Sequence, residues 1–400
     1  MSFVITNARI FTGQMWLTPG FVRVEQGVIT SVGVGAPLPS SIPNIDAAGL
    51  TVFPGIIDCH SHLLEFGSFS AAKALGKAQR AAGYANLLKA AQAGITTLGE
   101  HILGHPFLNQ PLSVYREIIA HAPQTVLLAC GWCTVGTEPL TLLSAHKPGQ
   151  KVIQQELDDQ VLAWLAKNSE FPGENIFVTA TPANLPPHQV PRAGESILNH
   201  RQLQKTIDIF HAEGRRIGAH LEGELPTRIF LELGGDVVHH GHGISDETLS
   251  LMARCMCDWI ITPHGGTGTK PTPARQIALA LELGLKPALA SDSYLPIHLE
   301  AHSLAQGLPQ QSEVGPGEFM QVINNLGAEL TPLGVSSEEV MRMLTLYPAQ
   351  VLGIHGVTGS IEPGKRADLV IARGLWGVEI TSPGEIVQVF SQGQLIIDNS

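Results

Sequence analysis

Between residues 51 and 293 the chain sets out eight short apolar runs with stretches of helical period between them, the pattern of a parallel sheet joined by crossover helices. The runs are VFPGIIDCH, ITTLGEH (95–101), TVLLACGW (125–132), NIFVTATP (175–182), RIGAHLEG (216–223), DVVHHGH (236–242), WIITPHG (259–265) and KPALASDS (286–293). Between them lie helical patterns such as RQLQKTIDIFHAEG, SDETLSLMARC and TPARQIALALELG, several of which end in a glycine at the cap position. Eight such units predict an α/β fold of the TIM-like (β/α)8 barrel type. A GxGxxG fingerprint after the first run, which an open dinucleotide-binding sheet would carry, is missing.

The segments outside this middle differ in character. FVITNARIF, FVRVEQGVITSVGVG and NIDAAGLTVF at the start, and ADLVIARG and IVQVFSQGQLIID at the end, alternate apolar and polar residues with Gly or Pro between bursts. They predict a small β-sandwich built from both termini, residues 1–50 with 357–400, around a barrel of residues 51–356. The stretch 300–355 reads as helices without a further strand.

With 44% hydrophobic and 15% charged residues the chain can bury a large core. A net charge of −11 excludes the basic face that nucleic acid or an anionic membrane would require. No leader-like or membrane-spanning apolar stretch is present, so the expectation is a cytoplasmic enzyme with a small-molecule substrate, open to forming a homo-oligomer. Five cysteines are an odd count and fit reduced thiols. Cys130 and Cys133 have redox spacing but follow a strand rather than open a helix, where a thiol pKa would be lowered.

In such barrels the strands' carboxyl ends carry the chemistry. The first run ends in Asp58, His60 and His62; the fifth carries His220, the sixth His239, His240 and His242, and the eighth Asp292. His60 and His62 share one face of their strand, a chelating spacing. Singly, His220 would pass for a hydrogen-bonded core histidine and Asp292 for a helix cap; at four strand ends together they point to one centre. Imidazole with carboxylate suits zinc, with iron or manganese as alternatives. An open position would hold water of lowered pKa, and Asp292 would take its proton and pass it to a leaving nitrogen. His239 and His240 alternate, so one of them should face away and hydrogen-bond a neighbour.

NIDAAGLTVFPGIIDCHSHL, GITTL, DVVHHGHGISDETLSLM and YPAQVLGIHGVTGSIEPGKRADLVIA together resemble the amidohydrolase superfamily over nearly the whole chain. Its imidazolonepropionase, enamidase and adenine deaminase type members share the split β domain. The resemblance implies His60, His62, His220, His240 and Asp292 as metal ligands, with His240 preferred to His239 because His-Gly is the usual form there. It implies attack by metal-bound hydroxide on a carbon–nitrogen bond of a cyclic amide or nitrogen heterocycle, with Asp292 as base and His240 also placed to stabilise an oxyanion. Two-ion members bridge their ions with a lysine carbamate at strand four or a glutamate nearby. This strand has no lysine and Glu174 precedes it, so a dipeptidase or N-acyl amino acid hydrolase ranks second and one or two ions remain open. A non-catalytic structural relative ranks last, because every ligand position is filled. Deaminases with His-x-x-Glu on strand five find Gly223 here, between Glu222 and Glu224.

Glu100 and His101 are candidates for a second ion or for substrate contact. His264, in a glycine-rich loop, His242, Glu222 and Cys133 are candidates for substrate binding. Trp132, Glu65 and Tyr294 are expected to line the pocket, and Lys270 or Arg275 to pair with an anionic substrate.

Overall fold

A computed structural model describes residues 1–39, 41–64, 79–104, 110–134, 141–148, 152–153, 159–179, 196–263, 271–294 and 315–400. Its strands in chain order begin with β1 (Phe3–Phe11), β2 (Trp16–Glu25), β3 (Val28–Val34), β4 (Asn44–Asp46), β5 (Thr51–Pro54), β6 (Ile56–His62) and β7 (Ile95–Ile102). They continue with β8 (Thr125–Cys130), β9 (Trp132–Thr134), β10 (Thr141–Ser144), β11 (Val152–Ile153), β12 (Ile176–Phe177), β13 (Gly218–Glu222) and β14 (Val237–His242). Last come β15 (Asp258–Ile261), β16 (Ala288–Leu289), β17 (Ser293–Tyr294), β18 (Leu369–Ala372), β19 (Ile386–Ser391) and β20 (Gln394–Asp398).

Both termini meet in one sheet of order β20-β19-β18-β5-β1-β2-β3, with β4 on β1. The two apolar pairs either side of Pro54-Gly55 part company there. Val52 and Phe53 pair antiparallel with β18, while Ile56 and Ile57 open β6 and pair parallel with β7. The terminal sheet therefore extends four residues past the expected division at residue 50, and its strands pair as one sheet rather than as two. Its alternation is that of a half-covered surface: Val22 and Val24 are buried and Arg23 between them is half-buried. Phe3, Ile5, Ile10, Val22, Val52, Leu369, Ile371 and Phe390 fill its core.

The middle of the chain forms two arcs of mostly parallel strands, β17-β6-β7-β8 and β9-β12-β13-β14-β15-β16, the second extended by β10 and β11. All residues of β6, β7 and β14 are buried, as strands covered on both faces must be. Backbone hydrogen bonds carry each arc into the other at both ends. Gly131 N donates to Ile102 O on one side while Trp132 N donates to Asn175 O on the other, at 3.0 and 3.2 Å. Ala290 N donates to Ile261 O and Asp292 N to His60 O, both at 2.9 Å.

Crossover helices begin and end where their side chains dictate. Asn199 and Gln202 form a reciprocal capping box for His200–Ala212. Ser245 caps Asp246–Cys255 by accepting from Thr248 N, and Met256 ends that helix in the left-handed region. Helices Pro316–Leu330, Ser337–Leu344 and Leu346–Val351 follow, with no strand among the described residues of 300–355. Among the described residues no helix is long and apolar enough to cross a membrane.

The fourth and eighth runs depart most from expectation. Strand pairing covers two residues in β12 and two each in β16 and β17. In the eighth run the interruption has a cause, since Asp292 adopts φ 50°, outside the extended region. The fourth run beyond residue 179 and its neighbours to 195 lie outside the described residues.

Candidate metal centre

Strand alternation places His60 and His62 on one side of β6, ring centroids 5.3 Å apart. Asp292 Oδ1 lies 3.4 Å from His60 Nε2 and 3.3 Å from His62 Nε2. The Glu174 carboxylate faces them. Its Oε2 is 3.6 Å from Nε2 of both histidines, and its Oε1 is 2.6 Å from His220 Nδ1 and 2.8 Å from His240 Nε2. One carboxylate thus spans two pairs of histidines. All six side chains are buried.

His240 reaches this position through φ 64°, followed by Gly241 at φ 67°, a left-handed step that non-glycine residues adopt at a cost. The step breaks the alternation expected of a regular strand. His239 and His240 were predicted to face apart, yet both rings pack against His60, each with centroids 4.9 Å away. His240 Nδ1 bonds the Thr262 hydroxyl at 2.8 Å, and Thr262 Oγ1 in turn lies 3.5 Å from His242 Nε2.

The electrostatics follow from burial among charges of opposite sign. Burial pushes the Asp292 carboxyl up, but His60 and His62 beside it outweigh that and hold it well below the usual carboxylate range. Glu174 behaves alike: burial raises it, and His60 and His220 draw it well below its ordinary value. Burial lowers His60, and burial together with the neighbouring His60 lowers His101 and His239 strongly.

The donor set fits divalent cations. His60 Nε2, His220 Nε2 and both Asp292 oxygens are buried without a hydrogen-bond partner among the described residues, a cost that native interiors rarely bear unless something else satisfies them. Three triads have ligand atoms within 4.8 Å of one another: His60, His62 and His101; His60, His240 and Asp292; and Glu174, His220 and His240. Imidazole and carboxylate donors of this kind suit zinc, manganese or iron.

The structure brings together His60, His62, His220, His240 and Asp292, with His101 at their edge. Glu100 stands outside the three triads: its Oε2 accepts from Ser61 Oγ at 2.7 Å and its Oε1 from Leu64 N at 2.6 Å. Burial pushes the Glu100 carboxyl up to about 7. Glu222 is buried on β13, and Trp132 and Cys133 are buried on β9. His242 bonds Thr272 Oγ1 at 3.2 Å through Nδ1. Glu224 caps a helix, accepting from Ser245 and Thr248. Arg275, expected near the glycine-rich loop as a cation for substrate, instead pairs with Asp246 through both terminal nitrogens, because the two side chains start neighbouring helices. Glu65, His264, Lys270 and the side chain of Tyr294 lie outside the described residues.

Two residues of the centre were not identified from sequence. Glu174 precedes its strand, and His239 gives way in the sequence reading to His240 because His-Gly is the usual form at that position of the family. The signal for Glu174 was available in FPGEN, a Pro-Gly strand entry followed at once by a carboxylate. Gly131 lets that chain approach, for a Cβ there would lie 2.2 Å from Glu174 O.

Residues 51–396 match the amidohydrolase family. The chain is similar to imidazolonepropionase of Vibrio cholerae serotype O1, 24% identical with 95% of this chain and 93% of that one covered. It is also similar to N-acetylgalactosamine-6-phosphate deacetylase of Escherichia coli O157:H7, 25% identical with 99% of both covered. Among solved structures, a prolidase complexed with N-methylphosphonate-L-proline superposes with a TM-score of 0.74 over the full length of both chains at 16% identity.

Proposed function

The chain belongs to the amidohydrolase family, a metal-dependent family, and is a hydrolase acting on carbon–nitrogen bonds; from that premise we propose that it is a two-cation hydrolase of a cyclic amide. The observation that carries the two-cation part of the proposal is Glu174, one oxygen against His220 and His240 and the other facing His60 and His62. His60, His62 and Asp292 would hold one ion, His220 and His240 the other, with Glu174 between them and zinc the first choice of metal. We take the two arcs to be one (β/α)8 barrel over residues 56–356, with the centre at its carboxyl end.

Ions bound there would polarise a carbonyl and lower the pKa of water. The residues supply the rest. Asp292, ionised because two histidines flank it, accepts the proton of the attacking water on an oxygen that no other group occupies. The same oxygen returns the proton to the departing nitrogen, so the residue ends the cycle as it began. Burial of the whole set excludes bulk water and strengthens each of these interactions.

The cyclic-amide reading rests on the imidazolonepropionase relative. Glu174 favours a second reading, hydrolysis of an N-acyl amino acid or dipeptide: that class ranks lower for want of the strand-four lysine, and this carboxylate would take the lysine's place. Metal content by plasma mass spectrometry, followed by assay of five-membered cyclic amides against N-acyl amino acids and prolyl dipeptides, tests both. Two ions per chain with turnover of the cyclic amides is the expected result. Two ions with turnover of the open amides alone would replace the first reading with the second, and a chain with only trace metal and no turnover would overturn both.

A further inference from the structure

We infer that His239 is a positioning residue that fixes the tautomer of His60 and so aims a bare Nε2 lone pair at the metal centre. The inference rests on the metal reading above. Its first observation is a chain of two hydrogen bonds: His239 Nε2 lies 3.1 Å from the Pro172 carbonyl oxygen, and His239 Nδ1 lies 2.8 Å from His60 Nδ1.

The protons in that chain can be counted. A carbonyl only accepts, so His239 Nε2 carries a hydrogen and donates it. His239 is fully buried with its Nδ1 against the ring of another histidine, where a second proton would be costly. Its Nδ1 is therefore the acceptor, and His60 Nδ1 must be the donor. A neutral His60 with hydrogen on Nδ1 has none on Nε2. That nitrogen is the one 3.4 Å from Asp292 and 3.6 Å from Glu174, two carboxylates it could approach as a bare lone pair only with a cation among them.

The surrounding backbone is shaped for this ring. Gly218 passes so close that a Cβ there would lie 2.5 Å from Pro172 O and 2.7 Å from His239 Nε2. Any side chain at 218 would displace the imidazole from the carbonyl that orients it. Ligating histidines are generally oriented by a carboxylate, a carbonyl or water on their other nitrogen. Here the partner is a second imidazole, itself set by a carbonyl, so the proton position on His60 is dictated from the backbone of Pro172 through two rings.

The test compares wild type, His239→Asn and His239→Leu by competition for Zn2+ against a chromophoric chelator. Asparagine keeps an acceptor oxygen near the position of Nδ1 and leucine keeps volume without one. The expected result is a Zn2+ affinity about 10- to 100-fold weaker in the leucine variant, the range for losing such a partner, with the asparagine variant within a few fold of wild type. Equal affinity in the leucine variant and wild type, or equal loss in both variants, overturns the inference. Should the leucine variant not fold, the ring-nitrogen resonances of His60 in metal-free wild type decide, assigned by their loss in His60→Gln. Hydrogen on Nδ1 supports the inference and hydrogen on Nε2 overturns it. A wild type that binds no Zn2+ would overturn the metal reading instead, and the resonances would still judge this one.

Discussion

The Asp58 carboxylate accepts the Ser291 hydroxyl at 2.5 Å and the Ser291 backbone N–H at 3.0 Å. This pair ties the strand of His60 and His62 to the segment of Asp292, for Asp58 stands two residues before His60 and Ser291 directly before Asp292. The Asp58 oxygen that receives the backbone bond also accepts from His60 N at 3.3 Å. Ser291→Ala removes a donor from a fully buried carboxylate and an acceptor from Ser293 N. Stability to denaturant should fall by about 1–3 kcal/mol, and metal should be held less tightly. A variant as stable as wild type would show that the backbone bond alone suffices.

Glu174→Gln removes the charge that faces both histidine pairs while keeping the shape. If the two-cation proposal holds, metal content should drop from two ions per chain towards one, and turnover by about 100-fold or more, as when a stabilising group at a reacting centre is lost. Plasma mass spectrometry and steady-state rates, taken on the same preparation, check the two together.

Glu100 makes a prediction in pH. Its ordinary value is 4.5 and burial raises it to about 7, so folding favours the protonated carboxyl. Its contribution to stability is full below about pH 4.5 and is lost as pH rises through 7. Relative to Glu100→Gln at equal metal loading, wild type should therefore lose up to roughly 3 kcal/mol across that window. Denaturation midpoints measured at several pH values would run parallel if the carboxylate were accommodated as readily as the acid.

Gly218→Ala tests the close approach beneath the centre. Its new Cβ would meet Gly173 O at 2.0 Å as well as Pro172 O, both backbone atoms that cannot rotate aside. A loss of about 1–3 kcal/mol or more is expected, with weakened Zn2+ binding measured on the folded fraction.

Much of the centre was legible because two of its residues obey strand alternation and three more stand at the ends of apolar runs. His60 and His62 share a face through simple alternation, and His220, His240 and Asp292 stand where apolar runs give out. What escaped were residues governed by exceptions. Glu174 precedes a two-residue strand, so its direction is set by hydrogen bonds of Asn175 and the gap at Gly131, not by any local period. His239 turns inward beside His240 because of a left-handed backbone step that no pattern of apolar residues encodes. Arg275 was misplaced for a plainer reason: an arginine near a loop reads as available until a carboxylate on a neighbouring helix claims it. For the fold, alternation against helical period identified which segments pair, whereas the break at Pro54-Gly55 needed the partners on either side.

The terminal sheet has a consequence for how the protein is made. β5 lies between β1, which precedes it closely in the chain, and β18, whose Leu369–Ala372 pair with Thr51–Pro54 only once the intervening residues have been made. Until then β5 presents an open, apolar edge directly upstream of the two histidines, and a chain broken off before residue 369 never covers it. Synthesis of β18 thus closes the edge at the entrance to the strand that bears His60 and His62, and a product broken off before it would carry that edge uncovered, a template for aggregation.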